Sequence, residues 1–61
     1  MKLFIFTGLS GSGKSVALRT LEDLEFYCID NLPIKLLDSC IQTLMTEGYE
    51  NVAISLDISP S

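Results

Sequence analysis

Eight consecutive residues decide the fold of this chain: Gly8-Leu9-Ser10-Gly11-Ser12-Gly13-Lys14-Ser15. They match the pattern G-x-x-x-x-G-K-[S/T] at every fixed position. An apolar run at residues 3–7 comes directly before them, and a helical pattern begins at Lys14. A strand before this motif and a helix after it separate a phosphate-binding loop from a chance match.

The segments on both sides of the motif alternate between strand and helix patterns. Residues 3–7 form a continuous β-prone run, which is typical of a strand buried on both faces of a parallel sheet. The helix that follows should end near Glu25, and residues 26–29 predict a second strand that stops before Asp30 and Asn31. The apolar positions that predict the first helix are Val16, Ala17, Leu21 and Leu24.

A second helix and a third strand complete the pattern. Asn31 is a suitable N-cap, Pro33 falls in the first turn, and Gly48 is a suitable residue to end the helix. Asn51–Asp57 then predicts the third strand. The apolar stripe of the second helix consists of Leu37, Ile41, Leu44 and Met45.

The order βαβαβ predicts an α/β fold of the P-loop NTPase type, a parallel sheet with flanking helices joined by right-handed crossovers. Such a domain takes roughly 100–200 residues, whereas this chain has 61. We therefore expect residues 1–61 to be the N-terminal part of a nucleotide-binding domain, with the rest of that domain and a C-terminal domain absent.

The chemistry of the motif follows from its residue types. Glycines let successive backbone N–H groups curl around a polyphosphate, and the helix that starts at the motif adds free N–H groups and a positive dipole end. Lys14 would place an ammonium between the β- and γ-phosphates, as the catalytic residue, and Ser15 would offer a hydroxyl to Mg²⁺. We expect all eight residues of the motif to bind ATP or GTP.

Two aspartates follow predicted strands, where ligands gather in parallel sheets. Asp57 is a candidate to hold Mg²⁺ through water, opposite Ser15; the alternative is an aspartate that caps the strand or faces solvent. Asp30 is a candidate to bind or deprotonate an acceptor hydroxyl; the alternative is that Asp30 and Asn31 only cap the next helix.

The composition limits where the protein can be located in the cell and which partners this segment can bind. The net charge is −4, and the basic residues Lys2, Lys14, Arg19 and Lys35 form no stripe that would bind nucleic acid. No apolar run approaches the ~20 residues of a membrane span. Cys28 and Cys40 lack metal-site spacing, and we interpret them as reduced core residues of a cytoplasmic protein.

Residues 8–33 carry a family resemblance. The loop with its continuation through Arg19, the pair Glu22-Asp23, and residues 26–33, which end in Asp30-Asn31-Leu32-Pro33, resemble the RapZ-type family of bacterial P-loop nucleotide-binding proteins, also called RNase adapter proteins. The resemblance implies that the protein binds and slowly hydrolyses ATP and GTP. It also implies that a part C-terminal to this chain binds a small regulatory RNA and directs a ribonuclease to it.

By the same resemblance, Asp57-Ile58-Ser59-Pro60 would belong to a second, GTP-binding segment. Three functions follow from the sequence: a slow ATP/GTP hydrolase coupled to regulation, a small-molecule kinase that uses Asp30, and a switch whose nucleotide controls an RNA or protein partner. The first and third are compatible in one protein. The sequence leaves assembly into a homo-oligomer open.

Overall fold

The computed structural model describes residues 1–7 and 12–57. The strands are β1 (Lys2–Phe6), β2 (Tyr27–Pro33) and β3 (Asn51–Asp57), and the helices are α1 (Ser12–Asp23), a 3₁₀ helix (Ile34–Leu36) and α2 (Leu37–Glu47). The strands form one parallel sheet in the order β1-β3-β2. This confirms the predicted α/β fold and the order βαβαβ.

The strand β3 forms the centre of the sheet. Its bounds are those that the sequence predicts, and Val52, Ala53 and Ile54 are fully buried. On one side β3 pairs with β1 from Lys2↔Asn51 to Phe6↔Ser55, and on the other it pairs with β2. A continuous apolar strand in this position is buried on both faces, as expected for the middle of a parallel sheet.

The two helices cover opposite faces of the sheet. On one face, Leu44 of α2 packs with Val52 and Ile54. Ala53 points to the other face, because successive side chains of a strand alternate. Its partner in β2, Cys28, contacts the carbonyl oxygen of Leu18 in α1 at 3.5 Å. The partly buried residues around the first cluster are Leu3, Ile29, Leu32, Leu37, Cys40, Ile41 and Leu56.

Both α-helices end in a Schellman motif, in which a residue with positive φ lets the last carbonyls accept two further hydrogen bonds. At the end of α2 this residue is Gly48, with φ 86°, as the sequence predicts. At the end of α1 it is Glu25, with φ 69°, and the Phe26 amide donates to the Leu21 carbonyl at 2.9 Å. A side chain makes this conformation costly, which is why Glu25 gives no signal in the sequence.

The prediction that the first strand is buried on both faces is wrong for the described chain. Phe4 and Ile5 of β1 are both exposed. The reason is topology, since β1 lies at an edge of the sheet and β3 takes its centre. Phe4 is partly covered by Phe26, whose ring centroid lies 5.4 Å away.

The predicted end of the second strand and the predicted N-cap are also wrong. The strand β2 continues through Asp30 and Asn31 to Pro33, with a shift in register between Ile29 and Leu32. Pro33 precedes the 3₁₀ helix and Leu36 precedes α2, and neither forms a side-chain capping hydrogen bond. The side chain of Asn31 has another partner in α1, described below.

Two apolar stripes are only partly as predicted. In α2, Leu44 is 6% exposed but its neighbour Met45 is 61% exposed. In the first stripe, Val16 of α1 and Leu24, which follows the helix, are exposed, whereas Leu18 of α1 is buried. These helices cover a sheet of three strands, so only the side chains directly above those strands are buried.

Neither α1, with 12 residues, nor α2, with 11, is long enough to span a membrane, and the described part of the chain holds no other α-helix.

The thiol of Cys28 lies between α1 and β2. Burial raises its pKa above the ordinary value for cysteine, and the nearby Glu22 carboxylate raises the pKa further. Both effects disfavour the thiolate, which is the nucleophilic form. Cys28 and Cys40 are partly buried free thiols, and Cys40 packs against the cluster of Leu44, Val52 and Ile54.

We predict that Leu44→Ala lowers the free energy of unfolding by about 2–5 kcal/mol, because it leaves a cavity against Val52 and Ile54. Met45→Ala is the matched control on the next residue, and its effect should stay within about 0.5 kcal/mol because this side chain is exposed. Urea unfolding of the two variants measures both values. Equal losses would contradict the packing described for α2.

We predict that Glu22→Gln accelerates alkylation of Cys28, because removal of the carboxylate lowers the pKa of the thiol and increases the thiolate fraction at pH 8. The gain should be below about tenfold, since burial is the larger cause of the raised pKa and remains. Iodoacetamide labelling in a Cys40→Ser background isolates the rate of Cys28. Glu47→Gln is the control, and identical rates in all variants would argue against the effect of Glu22.

Candidate functional site

The candidate site lies where the strands end. In a parallel sheet all carboxyl ends meet at one edge, and here β1 ends at Phe6, β2 at Pro33 and β3 at Asp57. The helix α1 follows β1 directly and begins at Ser12. The first turn of α1 and the ends of β2 and β3 therefore share the edge at which ligands bind in open parallel sheets.

The second half of the predicted loop belongs to α1, which begins two residues earlier than the helical pattern indicates. Gly13, Lys14 and Ser15 lie in its first turn, where backbone N–H groups have no partner within the helix. No heavy atom from elsewhere in the described chain lies within 4 Å of where a Cβ on Gly13 would stand. The described protein alone therefore does not require a glycine here.

Other predicted site residues lie outside the part of the chain that the structure describes. They are Gly8, Leu9, Ser10 and Gly11 of the loop and Ile58, Ser59 and Pro60 after β3.

The ammonium of Lys14 contacts two residues of β2. Its Nζ lies 3.2 Å from Oδ1 of Asp30 and donates a hydrogen bond of 3.0 Å to Oδ1 of Asn31. The Lys14 side chain is 19% exposed, whereas that of Asp30 is 53% exposed. The structure thus brings together the motif lysine and the aspartate that the sequence singles out at the end of the second strand.

The backbone of β2 is irregular where these contacts form. Asp30 and Asn31 lie in the register shift between Ile29, which pairs with Ile54, and Leu32, which pairs with Leu56. Asn31 has φ 57°, a left-handed conformation that asparagine tolerates better than most residues. Asn31 is a site residue that sequence reasoning missed, because its residue type also fits a helix cap.

A cavity of about 290 Å³ opens beside the contact between Lys14 and Asp30. Its wall carries the hydroxyl of Ser15, the carboxylates of Glu22 and Asp30, and the guanidinium of Arg19. Leu18 and Cys28 complete the lining. Arg19 is exposed, and its spacing of four from Ser15 is a sequence signal that places both residues on the same face of α1.

The oxygen donors expected to hold Mg²⁺ are Ser15 in the first turn of α1 and Asp57, the last residue of β3. A hydroxyl and a carboxylate suit this hard cation, which usually keeps several waters and needs few protein ligands. Within the described residues, no three His, Cys, Asp or Glu side chains are grouped to hold a metal by themselves. Ser15 and Asp57 match the oxygen ligands that Mg²⁺ takes, and their role as its ligands stays a prediction.

Known proteins have a sequence similar to that of this chain. Nucleotide-binding proteins from Colwellia psychrerythraea, Vibrio campbellii and Vibrio vulnificus are 62%, 57% and 55% identical to this chain over 58 residues. The alignment covers 95% of this chain and 20% of each relative, so the chain spans about a fifth of their length. No solved structure matches the chain.

The profile of one protein family, described as the RapZ-like N-terminal domain, matches residues 1–61. The match covers the whole chain, and it confirms the resemblance carried by the loop and by residues 26–33. The chain belongs to the RapZ-like N-terminal domain family.

Proposed function

We propose that this chain binds ATP or GTP together with Mg²⁺ at the carboxyl edge of its sheet. The observation that carries the proposal is the position of Lys14, the lysine of a complete phosphate-loop motif. It lies in the first turn of α1, and its ammonium contacts Asp30 and Asn31 in the second half of β2. The relatives named as nucleotide-binding proteins, at 55–62% identity, support the same ligand class.

The phosphates would lie against residues 8–15. Backbone N–H groups of the loop and of the first turn of α1 would donate to phosphate oxygens, and the helix dipole would favour their negative charge. No atom from elsewhere in residues 1–7 and 12–57 lies within 4 Å of where a Cβ on Gly13 would stand, so these residues leave a phosphate room to approach the backbone there. Lys14 would contact the β- and γ-phosphates, where negative charge shifts during transfer.

Ser15 and Asp57 would hold Mg²⁺ from two sides of the site. When bound, the ion bridges phosphate oxygens and neutralises part of their charge. The resemblance further supports a second nucleotide segment that begins at Asp57, with Ile58, Ser59 and Pro60, and GTP as its ligand. Asp57 ends the central strand, at the same edge of the sheet as α1.

We propose slow hydrolysis as the reaction. Water attacks the γ-phosphorus, the bond to the β-phosphate oxygen breaks, and a nucleoside diphosphate and inorganic phosphate leave. Lys14 is the residue that would stabilise the charge of the transferred group. The triphosphate that this reaction consumes, and the Mg²⁺ that it requires, are those of the cytoplasm, where we place the protein.

The regulatory role concerns the whole protein, of which residues 1–61 would form the N-terminal part. The relatives are about five times as long as this chain. The net charge of −4 and scattered basic residues offer no surface for RNA here. A small regulatory RNA and a ribonuclease would therefore bind to the remaining part of the protein. The whole protein would act as an adapter, and this domain would hold its nucleotide. The remaining part could also join identical chains into a homo-oligomer.

A second candidate function is a small-molecule kinase. It is favoured by the position of Asp30, which lines the cavity next to Ser15 and contacts Lys14. An acid there could bind an acceptor hydroxyl and take its proton as the γ-phosphate is transferred. A kinase transfers labelled γ-phosphate to an added pool of hydroxyl compounds, whereas an adapter releases it only to water.

We predict that Lys14→Ala weakens the affinity of the whole protein for ATP and GTP by about 10- to 100-fold, because it removes a charge-assisted contact to the phosphates. Isothermal titration calorimetry with Mg²⁺ present measures the change. Lys35→Ala is the matched control, since it removes an exposed lysine of the 3₁₀ helix that is not part of the phosphate-loop motif. Unchanged affinity and turnover in Lys14→Ala would refute the proposed phosphate site.

A further inference from the structure

We infer that Asp30 and Asn31 form a clamp on the Lys14 ammonium that a nucleotide must displace. The inference rests on the proposed function, because it names the residues that hold Lys14 before a nucleotide binds. It makes Asp30 and Asn31 positioning residues that set nucleotide affinity.

The first support is the geometry of the ammonium. A lysine has three N–H donors, and two acceptors from adjacent residues lie at 3.0 Å and 3.2 Å from its Nζ. The Lys14 side chain is mostly buried by these contacts and their surroundings. Most lysines keep their ammonium mobile in water. The Lys14 ammonium differs, because two side chains of β2 hold it in one position.

The second support is charge. Asp30 is anionic, and so is the triphosphate that Lys14 would bind. When the phosphates approach the ammonium, the carboxylate beside it repels them and competes for the same positive charge. An ammonium already paired with a carboxylate therefore attracts a phosphate less than a free one does. Asp30 should lower nucleotide affinity rather than raise it.

The third support is the backbone. The clamp residues occupy the register shift of β2, where two residues have no partner in β3, and Asn31 adopts φ 57°. The contact with Lys14 is therefore a main constraint on this segment. Leu32 and Pro33 connect it directly to the 3₁₀ helix and then to α2. Displacement of the lysine would loosen residues 29–33 and so signal that nucleotide is bound.

An incidental surface ion pair is the simpler alternative, and such pairs contribute little. Three features argue against it here. The lysine is the one that the motif requires, the hydrogen-bonded residues are 17 positions apart in sequence, and a carboxylate and an amide converge on one ammonium.

The affinity test uses Asp30→Asn in the whole protein. This change keeps the shape and an acceptor oxygen but removes the competing charge, so the affinity for Mg²⁺·ATP should increase about two- to fivefold. Asp38→Asn is the matched control, since it removes the same charge from an exposed position in the first turn of α2, and its affinity should equal that of the wild type. A folded Asp30→Asn protein with unchanged or weaker affinity would overturn the inference.

A second measurement tests the clamp without nucleotide. In the nucleotide-free protein, Lys14→Ala should increase hydrogen–deuterium exchange of the amides at residues 29–32 by at least about threefold, because the segment loses its constraint. The control Lys35→Ala should leave exchange there unchanged. Unaltered exchange in Lys14→Ala contradicts the clamp alone. A wild-type protein that takes up no nucleotide contradicts the proposed function. It also contradicts the proposed competition between Asp30 and the phosphates for the Lys14 ammonium.

Discussion

The pairing of β3 with strands on both sides is the constraint on which the rest of the structure depends. It buries Val52, Ala53 and Ile54 completely and aligns three strands in parallel. Parallel strands all end at one edge of the sheet. The pairing therefore places three features at that edge: Asp57, the clamp residues Asp30 and Asn31, and the start of α1. The location of the candidate site therefore follows from the parallel pairing of the strands and not from particular side chains.

Local patterns predicted much of this fold. The strand β3 was predicted with its observed bounds because its apolar run at Val52, Ala53 and Ile54 is buried on both faces. Gly48 was predicted as the end of α2 because only glycine adopts its left-handed conformation at little cost. The loop motif was recognised because its residue types are required by the chemistry of phosphate binding.

Features that depend on tertiary contacts could not be predicted in the same way. Asn31 matches a helix cap by residue type, but its oxygen accepts from Lys14, which no local pattern encodes. Met45 and Val16 fit apolar stripes, but the described sheet has only three strands to cover them. Likewise Phe4 and Ile5 read as buried, and their exposure follows from the edge position of β1.

The contact between Lys14 and β2 connects the loop to the rest of the fold. Phosphate binding to such a loop does not by itself change the conformation of other parts of a protein, because the backbone groups that hold the anion need not move. In this chain the same ammonium that would bind phosphate is held by a carboxylate and an amide in an irregular stretch of β2. The 3₁₀ helix and α2 begin directly after that stretch, so under the proposed clamp the occupancy of the loop would be coupled to the conformation of these helices through the Lys14 ammonium.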